Sequence, residues 1–268
     1  MRSRLPITVA LIALACCVTA LRADISALPV RLPGSSLDTS LRNEADRATR
    51  QAARWLADRQ QADGSWGESN RVLHTSLALA ALAGTRDPEY SGATARAAVW
   101  LGNTETNRLD SLGDHAWRLI ALSLAVPYSP ERQHLFFRLL AQASPDRDDA
   151  SAEDQQLWRE ALAQSGISAS NAIENTCHAR DALTQAASDW PPSLADIHAA
   201  WRLTHLINRN ASGLLMKDGT PIDWRPHAAQ HLINSQKNDP RGGGCWPADT
   251  PDRQIAETAY GLLTLLEL

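Results

Sequence analysis

Gln60-Gln61-Ala62-Asp63-Gly64-Ser65-Trp66 reads Q-x-x-x-G-x-W and stands between a helical stretch and the apolar run Val72 to Leu82. A frayed copy returns near the C-terminus, Gln236-Lys237-Asn238-Asp239 followed by Gly244-Cys245-Trp246, and it too leads into an apolar helix. A motif that recurs in the same helical context signals a repeat. Around it, apolar residues fall at three- and four-residue intervals almost throughout, and strict two-residue alternation is nearly absent, so the chain reads as all-α. Gly and Pro punctuation divides it into about ten helices, at roughly 40–61, 70–83, 89–102, 111–126, 130–143, 151–164, 169–187, 193–209, 223–236 and 252–267.

The even-numbered helices carry an internal register. Trp117-Arg118, Trp158-Arg159 and Trp201-Arg202 each open the apolar body of one helix, at spacings of about 41 and 43 residues. Counting back by the same interval from Trp117 lands within His74-Thr75-Ser76-Leu77-Ala78-Leu79, and the final copy is Glu257-Thr258-Ala259-Tyr260-Gly261-Leu262-Leu263, after an insertion that includes Asn210 to Thr220. Among the odd-numbered helices, Trp55-Leu56 and Trp100-Leu101 repeat at about 45 residues. Such a period with two helices per unit means stacked helical hairpins, each burying its apolar face on its neighbours. Two closures are open: a superhelical scaffold, or a ring with one helix of each pair around a central cavity.

The Q-x-x-x-G-x-W passage followed by a small-residue helix resembles the repeat of the squalene-hopene cyclase and protein prenyltransferase superfamily. The resemblance is clear over about 51–84 and 223–268, and rests on the period alone in between. It implies an α/α-toroid of about five hairpins over residues 40–268, in which Gln60, Gly64, Trp66 and their counterparts Gln236, Gly244, Trp246 tie adjacent hairpins together. In that element Gly64 ends a helix in the left-handed conformation and Trp66 lays its ring across the next helix. The element is structural and carries no catalysis.

The first residues follow a different pattern. Arg2 and Arg4, an uncharged apolar run from Leu5 to Val18 and then Ala20 and Ala23 give the three parts of a secretory signal peptide over 1–23, too short for a membrane span. Residues 24–39 read as a linker, and a lipid anchor through Cys16 is the weaker alternative, because Ala13 stands where a Leu is usual. Removing the leader moves the formal charge from -4 to about -7, which suits a periplasmic or secreted domain and does not suit nucleic acid. No other stretch is long and apolar enough to be a transmembrane anchor. Cys177 and Cys245 remain, and in an oxidising compartment they either pair as a disulfide or stay as separate thiols.

Aligned on the repeated Trp-Arg, one column of the inner helices holds His74, His115, Gln156, Ala199 and Glu257, and the preceding column holds Leu73, Asp114, Gln155, His198 and Ala256. His74, Asp114, His115, His198 and Glu257 are thereby the candidates for acid and base chemistry at one mouth of a cavity. The residue types also include zinc ligands. Prenyltransferase β subunits hold zinc with an Asp and a Cys near one repeat's Trp and a His on an inner helix. Here Cys245 and His74 match in type but lie in different repeats, and Glu257 stands where the His is wanted. Asp146-Arg147-Asp148-Asp149 reads D-x-D-D, the acidic motif of the class II cyclases, yet in this register Asp149 falls about seven residues too early.

Trp117, Trp158 and Trp201 either line a cavity or pack between hairpins, and Arg118, Arg159 and Arg202 either meet an anionic ligand or pair with acids of neighbouring repeats. No Gly-rich phosphate loop, G-x-S-x-G elbow or H-E-x-x-H is present. The leading expectation is a ligand-binding toroid that holds an apolar or extended molecule without the family's catalytic motifs. An enzyme acting on an isoprenoid or a polysaccharide, and a scaffold for a protein partner, are the alternatives.

Overall fold

The computed structural model describes residues 37–105, 111–127, 129–142, 150–165, 197–209, 215–217 and 220–268, all within one unit, Pro33–Leu268. The leader, all but the end of the linker, the D-x-D-D stretch, the expected helix 169–187 and Cys177 lie outside the described residues.

The described chain is mainly helical. Its helices are α1 (Thr39–Ala57), α2 (Arg71–Thr85), α3 (Ser91–Asn103, entered through a short 3₁₀ turn), α4 (Leu112–Ala125), α5 (Pro130–Gln142), α6 (Ala152–Gln164), α7 (Ile197–Arg209), α8 (Trp224–Ser235) and α9 (Pro251–Glu267). Side-chain caps fix several starts. Asp38 accepts the Leu41 amide at 2.9 Å. Ser111 and Asp114 form a reciprocal capping box on α4, and Ser151 accepts the Asp154 amide on α6. On α9, Thr250 accepts the Arg253 amide with Pro251 in the first turn. Each such cap satisfies amides that the helix leaves orphaned.

Which helices are inner follows from where apolar side chains sit. In α2 every residue from His74 to Leu82 is buried, and in α4 every residue from Leu112 to Ser123. A helix apolar on all sides is stable only when neighbours enclose it. α4 packs on α2 and α6, α2 packs on α9, and α9 packs on α7. By contrast α1 buries one stripe, with Leu41, Ala45, Ala48, Ala52 and Leu56 on it. It lies against α2, α9 and α8, while α3 bridges α2 and α4, and α5 leans on α4.

The two motif copies are the joints. Trp66 donates its indole N–H to the Leu56 carbonyl at 2.8 Å and its amide to Thr75 Oγ1 at 2.9 Å. In the second copy, Trp246 donates its indole N–H to the Leu232 carbonyl at 3.0 Å and its amide to Thr258 Oγ1 at 3.3 Å. Each Trp therefore fastens the end of one helix to the first turns of the next. The glutamines reach sideways. Gln60 Nε2 donates to the Ala93 carbonyl of α3 at 2.9 Å, and Gln236 Nε2 to the Ala48 carbonyl of α1 at 3.0 Å.

Three details differ from the sequence reading. α1 stops at Ala57, short of residue 61, because the Gln60 and Gln61 side chains bond loop carbonyls of Gly64 and Gly67. Gly64 has φ +95° and therefore turns the loop rather than capping the helix; an added Cβ would stand 2.8 Å from the Arg96 carbonyl oxygen. Two small antiparallel ribbons also appear, β1 (Leu215–Lys217) with β2 (Thr220–Ile222) and β3 (Lys237–Asn238) with β4 (Gly244–Cys245). The second ribbon is the body of the C-terminal motif copy.

Gly261 shows how tightly that copy is packed. An added Cβ would lie 2.5 Å from Cε3 of the Trp246 ring, a rigid group with no room to yield. Gly261→Ala is expected to destabilise the chain by about 1–3 kcal/mol, read as a lower urea midpoint at unchanged slope. The double variant Gly261→Ala, Trp246→Ala should then lose less than the two single effects added together.

Candidate functional site

A cavity of about 510 Å³ opens beside the N-terminal halves of the inner helices. Leu73 comes from α2; Asp114 and Trp117 from α4; Glu153, Gln156, Leu157 and Glu160 from α6; His198, Trp201 and His205 from α7; and Tyr260 from α9. The α7 contributions recur at three and four residues, so one face of that helix looks into the space, while α6 contributes the nearly continuous run Glu153 to Glu160.

The sequence candidates divide between two environments. Leu73, Asp114, Gln155 and His198, all from the second column, line the cavity, as do Gln156, Trp117, Trp201, Arg159 and Arg202. His74, His115 and Glu257 are buried and are not among its lining residues. His74 Nδ1 sits 3.0 Å from the Ser69 carbonyl, and Glu257 lies 3.6 Å from Arg253 Nε one turn earlier. Of the five candidate acids and bases, Asp114 and His198 line the cavity and the other three do not. Among the described residues no group of three or more His, Cys, Asp or Glu is placed to hold a metal.

Two further residues are turned away from the cavity. Trp158 belongs to the hydrophobic core, because α6 presents Gln156 and Leu157 to the space instead. Arg118 is buried and donates to the carbonyls of Leu101 and Thr104, so it closes the C-terminal end of α3 rather than facing a ligand. Cys245 is a free buried thiol that accepts a hydrogen bond from Gln254 at 3.2 Å, and burial raises its pKa. Cys177, the other half of the pair considered from the sequence, lies outside the described residues.

An aromatic wall stands at the back. The ring centroids of Trp117 and Trp201 are 5.1 Å apart, those of Trp117 and Tyr260 5.8 Å, and those of Trp201 and Tyr260 5.2 Å. Along α7 the wall continues as a stack, with His198 6.0 Å from Trp201 and Trp201 5.0 Å from His205. Burial holds the Tyr260 phenol well above its ordinary pKa, with Glu153 and Glu257 adding to the shift. It stays neutral as a hydrogen-bonding group.

The α6 and α7 walls are joined by ion pairs. Arg202 Nε lies 3.1 Å from Glu153 Oε1, and His198 Nε2 lies 3.8 Å from the same oxygen. Deeper in, His205 is clasped on both sides, Nε2 2.7 Å from Glu160 Oε2 and Nδ1 3.0 Å from Glu267 Oε1. Burial opposes a charge there, but hydrogen bonds and attraction from Glu160 and Glu267 outweigh it and push the His205 pKa up to about 9. The imidazolium then donates from both nitrogens, and it links α6, α7 and α9.

Glu160, His205, Glu267 and Tyr260 are absent from the sequence candidates. The signal was there for two of them: His205 lies seven residues after His198 and Glu160 four after Gln156, each on the same helix face as a residue already chosen. Comparisons of the chain with protein-family models, with curated proteins and with solved structures find no match.

The clasp has a definite pH signature. A His raised above its ordinary value of 6.5 contributes stability that is complete below that value and disappears as pH rises through about 9. His205→Gln should therefore lower the urea midpoint strongly at neutral pH, by about 3 kcal/mol or more in stability, and much less at pH 10. An equal loss at both pH values would show that His205 acts through packing and not as a cation.

Proposed function

We propose that the chain is an exported α/α-toroid of five helical hairpins whose central cavity binds an extended ligand. The ring is supported by the run of contacts α6, α4, α2, α9, α7, whose two ends are bridged by Glu160 with His205 and Glu153 with Arg202. The two Trp joints, with their lateral glutamines, are what the cyclase and prenyltransferase resemblance leads one to expect. Export is supported by the signal-like sequence of the first residues.

The observation that carries the binding reading is the cavity of about 510 Å³ itself, walled by Trp117, Trp201 and Tyr260. Its volume lies in the range of small-molecule sites, and its apolar wall with a polar rim has their usual composition. Had the three indoles of the repeated register filled the centre, a scaffold with no ligand would have been favoured. All three belong to the core, with Trp117 and Trp201 edging the space and Trp158 not among its lining residues.

Leu157→Trp should obstruct the cavity from α6 while leaving the clasp residues in place. Equilibrating wild-type protein and this variant with a small-molecule cell extract, and comparing what each retains after ultrafiltration by mass spectrometry, tests the reading. Enrichment of one compound class on the wild type alone is the expected outcome. Equal retention by both proteins would rule the cavity out as the binding site.

A further inference from the structure

Resting on the cavity reading above, we infer that Glu153 and Arg202 form a releasable latch across the mouth of the cavity, and that α6 and α7 part there to admit the ligand while the His205 clasp holds them together deeper in. The seam between these two helices is built differently from its neighbours. α6 packs on α4 and α7 on α9, whereas α6 and α7 are not among the helix pairs whose described backbones pack closely. What joins them is side chains: Glu153 with Arg202 and His198, and Glu160 with His205.

Elsewhere around the mouth the inner helices are tied through their backbones. Asp252 of α9 accepts the amides of Glu68 and Ser69, just before α2, at 2.9 and 2.8 Å. On the other side, a Cβ added at Gly113 of α4 would collide with Asp154 Oδ1 of α6. Joints of that kind leave no slack. An ion pair between long side chains lets go by a change of rotamer alone, with no helix disturbed.

The two ties across the seam differ in strength. The side chains of Glu153 and Arg202 are 43% and 48% exposed, those of Glu160, His205 and Glu267 16%, 15% and 15%. Partners in an exposed pair are well solvated when apart, so separating them costs little. Parting a buried pair strands a charge away from water. Glu153 and Glu160 are seven residues apart, as are His198 and His205, which sets the two ties about 10 Å apart along the helices. Because Glu153 lies in the first turn of α6, the weak tie stands at the rim and the strong one deeper, and the helices pivot on the clasp as the rim opens.

The latch also stands in the way of what lies beneath it. Glu153 and Arg202 both line the cavity, one from the α6 wall and one from the α7 wall, so their bond at 3.1 Å crosses the space. Arg202 reaches the first turn of α6 because long side chains on a helix lean toward its N-terminus. Leu157 and Leu206 line the space further along the same two helices.

The test labels Leu157→Cys in the full chain with N-ethylmaleimide and with the bulkier, neutral biotin-maleimide, and reads modification at position 157 by peptide mass spectrometry. The ratio of the two rates cancels the reactivity of the thiol itself and reports the width of the mouth. Adding Glu153→Gln or Arg202→Gln is expected to favour the bulky reagent by about two- to five-fold, and the exchanged pair, Glu153→Arg with Arg202→Glu, to bring the ratio back toward its starting value. Circular dichroism confirms that each variant is folded. A ratio that none of these changes moves, a rise that the exchanged pair does not reverse, or a position 157 that neither reagent reaches in any variant would overturn the latch. The same label at Leu206→Cys, beside the clasp, should respond less, and an equal rise at both positions would overturn the pivot on His205. The extract experiment with Leu157→Trp decides the cavity reading separately.

Discussion

The bond from each motif tryptophan to the end of the preceding helix is the constraint on which the architecture depends. A helix terminus leaves carbonyls without partners, and burying them unsatisfied is costly. Trp66 and Trp246 each place an indole N–H on a carbonyl near such an end, those of Leu56 and Leu232, as a second donor beside the amides of Arg59 and Gln236, and so anchor the C-terminal ends of α1 and α8. Because the same residues' amides are held by Thr75 and Thr258, the turn direction between helices is fixed as well. A water-solvated helix end would satisfy the carbonyl equally but would hold the next helix at no particular angle.

From that joint the placement of the inner helices follows. Gln60 and Gln236 reach the carbonyls of Ala93 and Ala48 on α3 and α1, so each joint also fixes the spacing to a neighbouring outer helix. The outer helices need only one apolar stripe, and α1 has one. The inner helices are enclosed on both sides and carry small residues where backbones approach, Gly261 against the Trp246 ring being the tightest case. The cavity is left where the wall of α6 and α7 is held by ion pairs rather than by close apolar packing.

This explains what the sequence made legible and what it did not. The helices were readable because three- and four-residue periodicity and side-chain caps are local signals: residues 111–126 were expected and Leu112–Ala125 is observed, 252–267 was expected and Pro251–Glu267 is observed. Of the residues that the register singled out, Asp114 and His198 line the cavity. The ribbons were not readable, since strands of two or three residues show no period. Trp158 and Arg118, each left with two alternatives by the sequence, are packed inside rather than lining the cavity. A repeat register fixes a residue's height along its helix, but a small rotation of the helix decides which face looks inward, and only packing sets that rotation. Cys177 and the D-x-D-D stretch lie outside the described residues, and the register argument on the latter stands as sequence alone.

The His205 clasp shows where physics beyond the repeat enters. The contact across α6, α7 and α9 is a buried imidazolium between Glu160 and Glu267, whereas α4 has Ala121 and α2 has Ala80 near the corresponding depth. Replacing such a pair with apolar side chains often loses nothing in stability, so stability alone does not account for it. What an apolar pair lacks is direction: two carboxylates and one ring allow one relative position of α6, α7 and α9. That position sets the width of the cavity at the point where Trp201, stacked on His205, meets the space, and so the clasp fixes the shape of the site as well as the closure of the wall.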